Sequence, residues 1–307
     1  SAHHGRNVHD LLDKVSDLLP AHTAAAADLD FMKVAIVGRP NVGKSLLVNT
    51  ILGEERAIVS EIPGTTRDSL DTVFQFGGRT ALLIDTAGIR RRGQVQSGIE
   101  YYSVLRTLRS IARSDVSLLV IDGFEGVTAQ DLHVAGYIHD AYKGMMLLVN
   151  KWDLVREENR EEVAQRIKEK FRFVPYAPVM YISAKFGQGI EAILPEAERV
   201  WRERQATVTE DQLAGFLKRT LEHHGPPKSG TRQLKVYRVE QTATNPPTFV
   251  FTANDPQLVH FSYRRYLENS LRESFGFHGS PLLIAFSKRK RASSSPTTFN
   301  RNPKGVR

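Results

Sequence analysis

The chain has 307 residues, 41% of them hydrophobic, which is enough for ordinary cores and points to two domains with extra pieces at the ends. It has no cysteine, no apolar run near the ~20 residues of a membrane span and no basic-then-apolar leader, which excludes disulfides, thiol catalysis, cysteine metal sites and a membrane span and fits a cytoplasmic setting. The net charge of +8 is uneven: residues 1–204 hold 26 Lys+Arg and 27 Asp+Glu, and residues 205–307 hold 16 and 7, so the excess sits at the C-terminal end. A localised excess of this kind suits a phosphate-rich partner such as RNA, or a merely solvated basic surface.

Residues 1–12 run Ser-Ala-x-x-Gly-x-x-apolar-x-x-apolar-Leu, and so do residues 183–194. This repeat makes residues 1–20 the expected C-terminal remnant of a preceding nucleotide-binding domain, with residues 21–31, rich in alanine, as a linker. From residue 32 to residue 204 the pattern is α/β. Strands are expected at 33–37, 72–76, 80–85, 116–121, 145–149 and 179–182, and helices at 45–52, 99–112, 128–142, 157–171 and 190–204. Gly77-Gly78 marks a hairpin. The alternation implies a mainly parallel sheet covered on both faces, with a ligand beyond the carboxyl ends of its strands.

The first chemistry-bearing loop, Gly38-Arg39-Pro40-Asn41-Val42-Gly43-Lys44-Ser45, lies between an expected strand and an expected helix. That context makes G-x-x-x-x-G-K-S a phosphate loop. Its N–H groups and the helix start can face a polyphosphate, Lys44 can reach the β- and γ-phosphates, and Ser45 can hold Mg²⁺. Leu46 adds its backbone N–H. Asp85-Thr86-Ala87-Gly88 closes a strand where Asp85 can serve Mg²⁺ and the Gly88 amide a γ-phosphate; Ile89 follows where many GTPases place a glutamine. Asn150-Lys151-Trp152-Asp153 also ends a strand. The Asp153 carboxylate can accept both N1–H and the 2-amino group of guanine, which adenine cannot offer. Lys151 can lie across the base, Asn150 can tie this loop to the phosphate loop, and Ser183-Ala184-Lys185 can supply an N–H to the guanine oxygen.

Residues 205–290 change character. An amphipathic helix over 210–223 ends before Pro226-Pro227, strands follow at 233–240 and 248–253, then a helix at 257–275 and a strand at 281–287. That is a small α+β module. Its Gly276-Phe277-His278-Gly279 matches the Gly-x-x-Gly of RNA-clamping loops but lies between helix and strand, which reads as a helix-end turn. Residues 291–307 are a basic tail expected to be disordered.

These motifs resemble the translation-factor-like GTPases of the Era and MnmE group, and most closely the Der (EngA) family. Pro63-Gly64-Thr65-Thr66-Arg67-Asp68 looks like that group's first switch, and Asp122-Gly123-Phe124-Glu125-Gly126-Val127-Thr128-x-Gln130-Asp131 is likewise similar. Residues 87–95, with Arg90-Arg91-Arg92, look like the second switch of the second of two tandem G domains. The resemblance implies an α/β P-loop GTPase domain followed by a KH-like domain, with the preceding G domain as a partner within the full-length protein. It also implies a GTP-hydrolysing switch in large ribosomal subunit assembly, directed at that subunit or its rRNA rather than at DNA. By the same resemblance Thr66 joins Ser45 and Asp85 on Mg²⁺, Lys44, Thr66 and Gly88 act in hydrolysis of GTP to GDP, and Asn41 holds K⁺. Position 46 departs from the family, which usually has Thr or Ser there. The rivals are a tRNA-modification GTPase of the MnmE type, which would end in a cysteine that this chain lacks, and a GTP-dependent RNA-binding scaffold with little hydrolysis. An ATP-dependent enzyme is opposed by Asp153.

Overall fold

The computed structural model describes residues 31–53, 58–59, 71–86, 100–226, 228–229 and 232–288. The expected remnant at 1–20, the linker through residue 30 and the tail at 291–307 lie outside the described residues. The first part runs β1 (Met32–Val37), α1 (Lys44–Gly53), β2 (Ile58–Val59), β3 (Thr72–Phe76), β4 (Arg79–Ile84), α2 (Glu100–Arg113), β5 (Val116–Asp122), α3 (Ala129–Asp140), β6 (Gly144–Asn150), α4 (Arg160–Lys170), β7 (Val179–Tyr181) and α5 (Ile193–Arg204). The strands form one sheet in the order β2-β3-β4-β1-β5-β6-β7, parallel from β4 to β7 and antiparallel at β2-β3-β4.

Strand periodicity sorts the apolar residues into two cores. Val34, Ile36, Leu118, Val120, Met146 and Leu148 face α1 and α5; Ala35, Val37, Leu119, Ile121, Leu147 and Val149 face α2, α3 and α4. Every residue of β5 and β6 is buried, so these two strands carry neither a polar edge nor a wet face. Gly77 and Gly78, at φ 53° and 77°, close the expected β3–β4 hairpin.

The elements differ from expectation at their ends. Residues 157–159 form a 3₁₀ turn before α4. Helix α5 begins only at Ile193, because Gly187 and Gly189 hold positive φ in the preceding turn and Pro195 occupies the first helical turn, where its missing N–H costs nothing. Strand β2 is two residues long, too short to show a period.

The second part runs α6 (Glu210–His223), β8 (Lys228–Ser229), β9 (Arg232–Gln233), β10 (Val236–Thr244), β11 (Pro247–Ala253), α7 (Phe261–Phe275) and β12 (Leu283–Lys288). β10 and β11 pair antiparallel and β11 and β12 parallel. The sheet packs Phe249, Phe251 and Ile284 against Leu213, Phe216 and Leu217 of α6 and Tyr263, Leu267 and Leu271 of α7. The small β8–β9 hairpin takes residue 233, which was expected to open the longer strand.

The two parts meet along α5. Arg204, its last residue, is 1% exposed and donates from Nη1 to the Tyr142 carbonyl (2.9 Å) and from Nη2 to Asn245 Oδ1 (2.5 Å). Burial pushes this guanidinium down to about 10, so it stays charged at neutral pH. Gly276 caps α7 at φ 87°, the expected helix-end turn. The same turn docks on the first part: the Phe277 amide donates to Glu203 of α5 (2.8 Å), the Gly279 amide to the Tyr176 carbonyl (2.9 Å), and the Gly279 carbonyl accepts from Met145 at the start of β6 (2.8 Å). A Cβ on Gly279 would lie 2.3 Å from Val200 Cγ2, and its φ is 67°. Gly279→Ala should therefore lower unfolding stability by about 1–3 kcal/mol. Gly136, inside α3 with nothing within 4 Å of a Cβ, should behave oppositely, Gly136→Ala adding about 0.5–1 kcal/mol. Urea denaturation of both variants checks the contrast; a neutral Gly279→Ala would show the docked turn to be loosely packed.

Candidate nucleotide-binding site

Val37, Ile84, Asp122, Asn150 and Tyr181 end five neighbouring parallel strands, so the loops that follow them open on one edge of the sheet. The loop after β1 is shaped by close approaches. A Cβ on Gly38 would stand 2.5 Å from the Val120 carbonyl oxygen, and one on Gly43 2.3 Å from Asn150 Nδ2; both residues have positive φ, 140° and 98°. Asn41 at φ 65° is exposed in the left-handed region, which asparagine tolerates. Lys44 and Ser45 open α1. Lys44 Nζ donates to the Gly38 carbonyl at 2.8 Å and to the Arg39 carbonyl. Leu46 is an exposed apolar residue beside this helix start.

Asn150 joins this loop to a second one. Its Nδ2 donates to the Val42 carbonyl (2.8 Å), and its Oδ1 accepts from the Ala184 amide (2.9 Å), both inside the protein. The hydroxyl of Thr50 on α1 lies 3.1 Å from the Ala184 carbonyl, a tie that no motif announced. Of the three amides expected to offer a donor to guanine, that of Ser183 goes to Gln188 (3.1 Å) and that of Ala184 to Asn150; the Lys185 amide has no partner among the described residues.

The stretch from Asp122 to Asp131 grips the site from the other side. Lys151, at φ 61°, places Nζ 2.5 Å from Asp122 Oδ2, while Asp122 Oδ1 accepts the amides of Phe124 (2.9 Å) and Glu125 (3.0 Å). Burial alone would raise this carboxyl, but the lysine and the two amides outweigh it and hold it below its ordinary value. The Lys151 ammonium is thus tethered at the edge, and only its stem remains to cover a base. Trp152 lies against Tyr181 with ring centroids 4.3 Å apart. The half-buried Asp153 carboxylate makes no hydrogen bond or ion pair among the described residues. The Arg39 side chain pairs with Glu125 Oε2 at 2.6 Å and stands 3.5 Å from Asp131 Oδ2.

At the end of β4, Asp85 is buried at φ 59°, its amide donates to Asp71 Oδ1 (2.9 Å), and Arg106 Nε stands 3.4 Å from its Oδ2. The hydroxyls of Thr86 and Thr72 are 2.7 Å apart. Asp71 and Arg106 had no sequence signal, since each reaches Asp85 across more than a dozen residues. Thr66, Ala87, Gly88, Ile89 and Arg90-Arg91-Arg92 lie outside the described residues.

A glycine loop between strand and helix, a strand-end aspartate and an Asn-Lys-x-Asp loop on one sheet edge define a P-loop GTPase fold, here followed by a small KH-like domain. A family profile described as "50S ribosome-binding GTPase" matches residues 33–151, and one described as "KH-domain-like of EngA bacterial GTPase enzymes, C-terminal" matches residues 207–287. The GTPase Der of Chloroflexus aggregans is 48% identical over 295 residues, covering 95% of this chain and 66% of that protein. The GTPase Der of Caldanaerobacter subterraneus subsp. tengcongensis is 47% identical over 291 residues, covering 94% and 66%. The chain belongs to the Der (EngA) family, and it spans just under two thirds of the length of these relatives. No helix among the described residues is long and apolar enough to cross a membrane.

Proposed function

We propose that the chain is a GTP-hydrolysing switch, with residues 32–204 as the nucleotide-binding domain and residues 205–290 as an RNA-directed module. The observation that carries this reading is Asn150: its buried amide holds the phosphate loop and the Ala184 loop together, and Asp153 follows it by three residues in the same loop. Asp153 then receives the two donors of guanine, and a base lacking them leaves a half-buried carboxylate unpaired. The amides of residues 38–46 and the start of α1 receive the phosphates, with Lys44 on the β- and γ-oxygens. Ser45, Thr66 and Asp85 are all oxygen donors, which suits Mg²⁺; the ion would neutralise phosphate charge there. Ile89 offers no hydrogen-bonding group to orient water; the family resemblance implies K⁺ near the bridging oxygen, and Asn41, the residue that also shapes the loop's turn, would help hold it.

Titration with GTP and ATP tests the base reading: GTP should bind far more tightly, and Asp153→Asn should erase most of the preference. In the same preparation GTP turnover should rise when KCl replaces NaCl at fixed ionic strength. Equal affinity for the two nucleotides defeats the assignment, and equal rates in the two salts defeat the potassium reading alone.

The description of the family matched over residues 33–151, "50S ribosome-binding GTPase", supports a partner in the large ribosomal subunit or its rRNA, and the charge of residues 205–307, 16 Lys+Arg against 7 Asp+Glu, suits it. Cosedimentation with large subunits should be stronger with a GTP analogue than with GDP and should fall steeply with salt. Association that ignores both nucleotide and salt would count against this partner.

A further inference from the structure

We propose that Arg39 and Asp131 are a positioning pair that fixes the phosphate loop for Lys44. The proposal rests on the reading of that loop as a GTP site. Arg39 is the second residue of the loop, and its two ends do different work. Its carbonyl, with that of Gly38, accepts the Lys44 ammonium. Its side chain, 15% exposed, reaches over to Glu125 at 2.6 Å and to Asp131 at 3.5 Å. The side chain therefore anchors the peptide units on which Lys44 hangs.

Asp131 is built for more than capping a helix. It stands in the first turn of α3, and its Oδ2 accepts the Thr128 amide (2.9 Å) and hydroxyl (2.8 Å), a complete capping box with Thr128. A neutral asparagine or glutamine can fill that role. Yet this carboxylate is 0% exposed, and burying a charge in full carries a desolvation cost that a cap alone does not require. Arg39 supplies the opposite charge, and the positive end of α3 supplies a further favourable term. The link from the pair to Lys44 is the Arg39 carbonyl, so an effect on nucleotide passes through the loop backbone. If the tether is released, the Gly38–Arg39 peptides can turn, and Lys44 loses the two carbonyls that aim it.

The test uses the full chain with GDP and GTP as ligands. Asp131→Asn keeps an oxygen for the Thr128 cap and removes only the charge; Arg39→Gln removes the partner. Each should weaken both nucleotides by about 10- to 100-fold, the worth of a charged contact; thermal unfolding without nucleotide should shift little in Asp131→Asn, and should fall in Arg39→Gln, which leaves the buried Asp131 charge without its partner. The double variant should be no weaker than Arg39→Gln alone, because that change already breaks the link to Asp131 along with the one to Glu125. Arg39→Lys, which keeps charge but not the fork, should recover part of the loss. Unchanged affinities, additive losses in the double variant, or losses that track unfolding temperature alone overturn the proposal. If Asp131→Asn does not fold, the Arg39 variants decide it by the same criteria. An unmodified chain that binds neither nucleotide defeats the GTP reading and this inference together; an unmodified chain that binds GTP no better than Arg39→Gln does defeats the inference alone.

Discussion

The side-chain amide of Asn150 has both its ends inside the protein. Its donor goes to the Val42 carbonyl and its acceptor to the Ala184 amide, and the residue itself is 2% exposed. Loops that follow β1, β6 and β7 are far apart in sequence and have no strand pairing beyond the sheet edge. The buried amide of Asn150, joined by the Thr50 hydroxyl on the Ala184 carbonyl, relates the groups expected to hold phosphates to those expected to hold a base. Gly43 has to be glycine for the same reason, since the Asn150 amide occupies the place of its Cβ. Truncating such an amide leaves a buried donor and a buried acceptor unpaired, each costing about 1–3 kcal/mol.

Around that tie the segment after β5 works as a brace. Asp122 holds Lys151 on the base side, and Glu125 and Asp131 hold Arg39 on the phosphate side. Both ends of the site thus lean on one short loop and one helix cap. The C-terminal module is fixed to the same framework at the opposite end of β6: the Gly279 carbonyl accepts from Met145, five residues before Asn150. That contact, with Arg204 buried between the two parts, joins the module to a fully buried strand of the sheet rather than to its edge.

Much of this was legible in the sequence because local chemistry forces it. The continuous apolar strands, the glycine loop, the helix over 210–223 and the helix-end glycine at 276 all follow from residues close together. Asn150 as the link to the phosphate loop could be read from its motif. Thr50, Asp71 and Arg106 could not, since their partners are set by which strands lie side by side. Asp131 stood in a stretch recognised as similar to the family, but its grip on Arg39 needed the geometry. Gly279 was legible as part of a turn and not as a docking point, because only Val200 pressing on its missing Cβ reveals that role. Strands β2, β8 and β9 hold two residues each, below the length at which a period exists.

The central claim is that one amide joins two loops, and amide hydrogen exchange on Asn150→Ala tests it most directly. The account predicts that protection falls together at Val42–Ser45 and at Ala184–Phe186, while amides at the centre of β5 keep theirs. Loss confined to one of the two loops, or no loss at either, would contradict it.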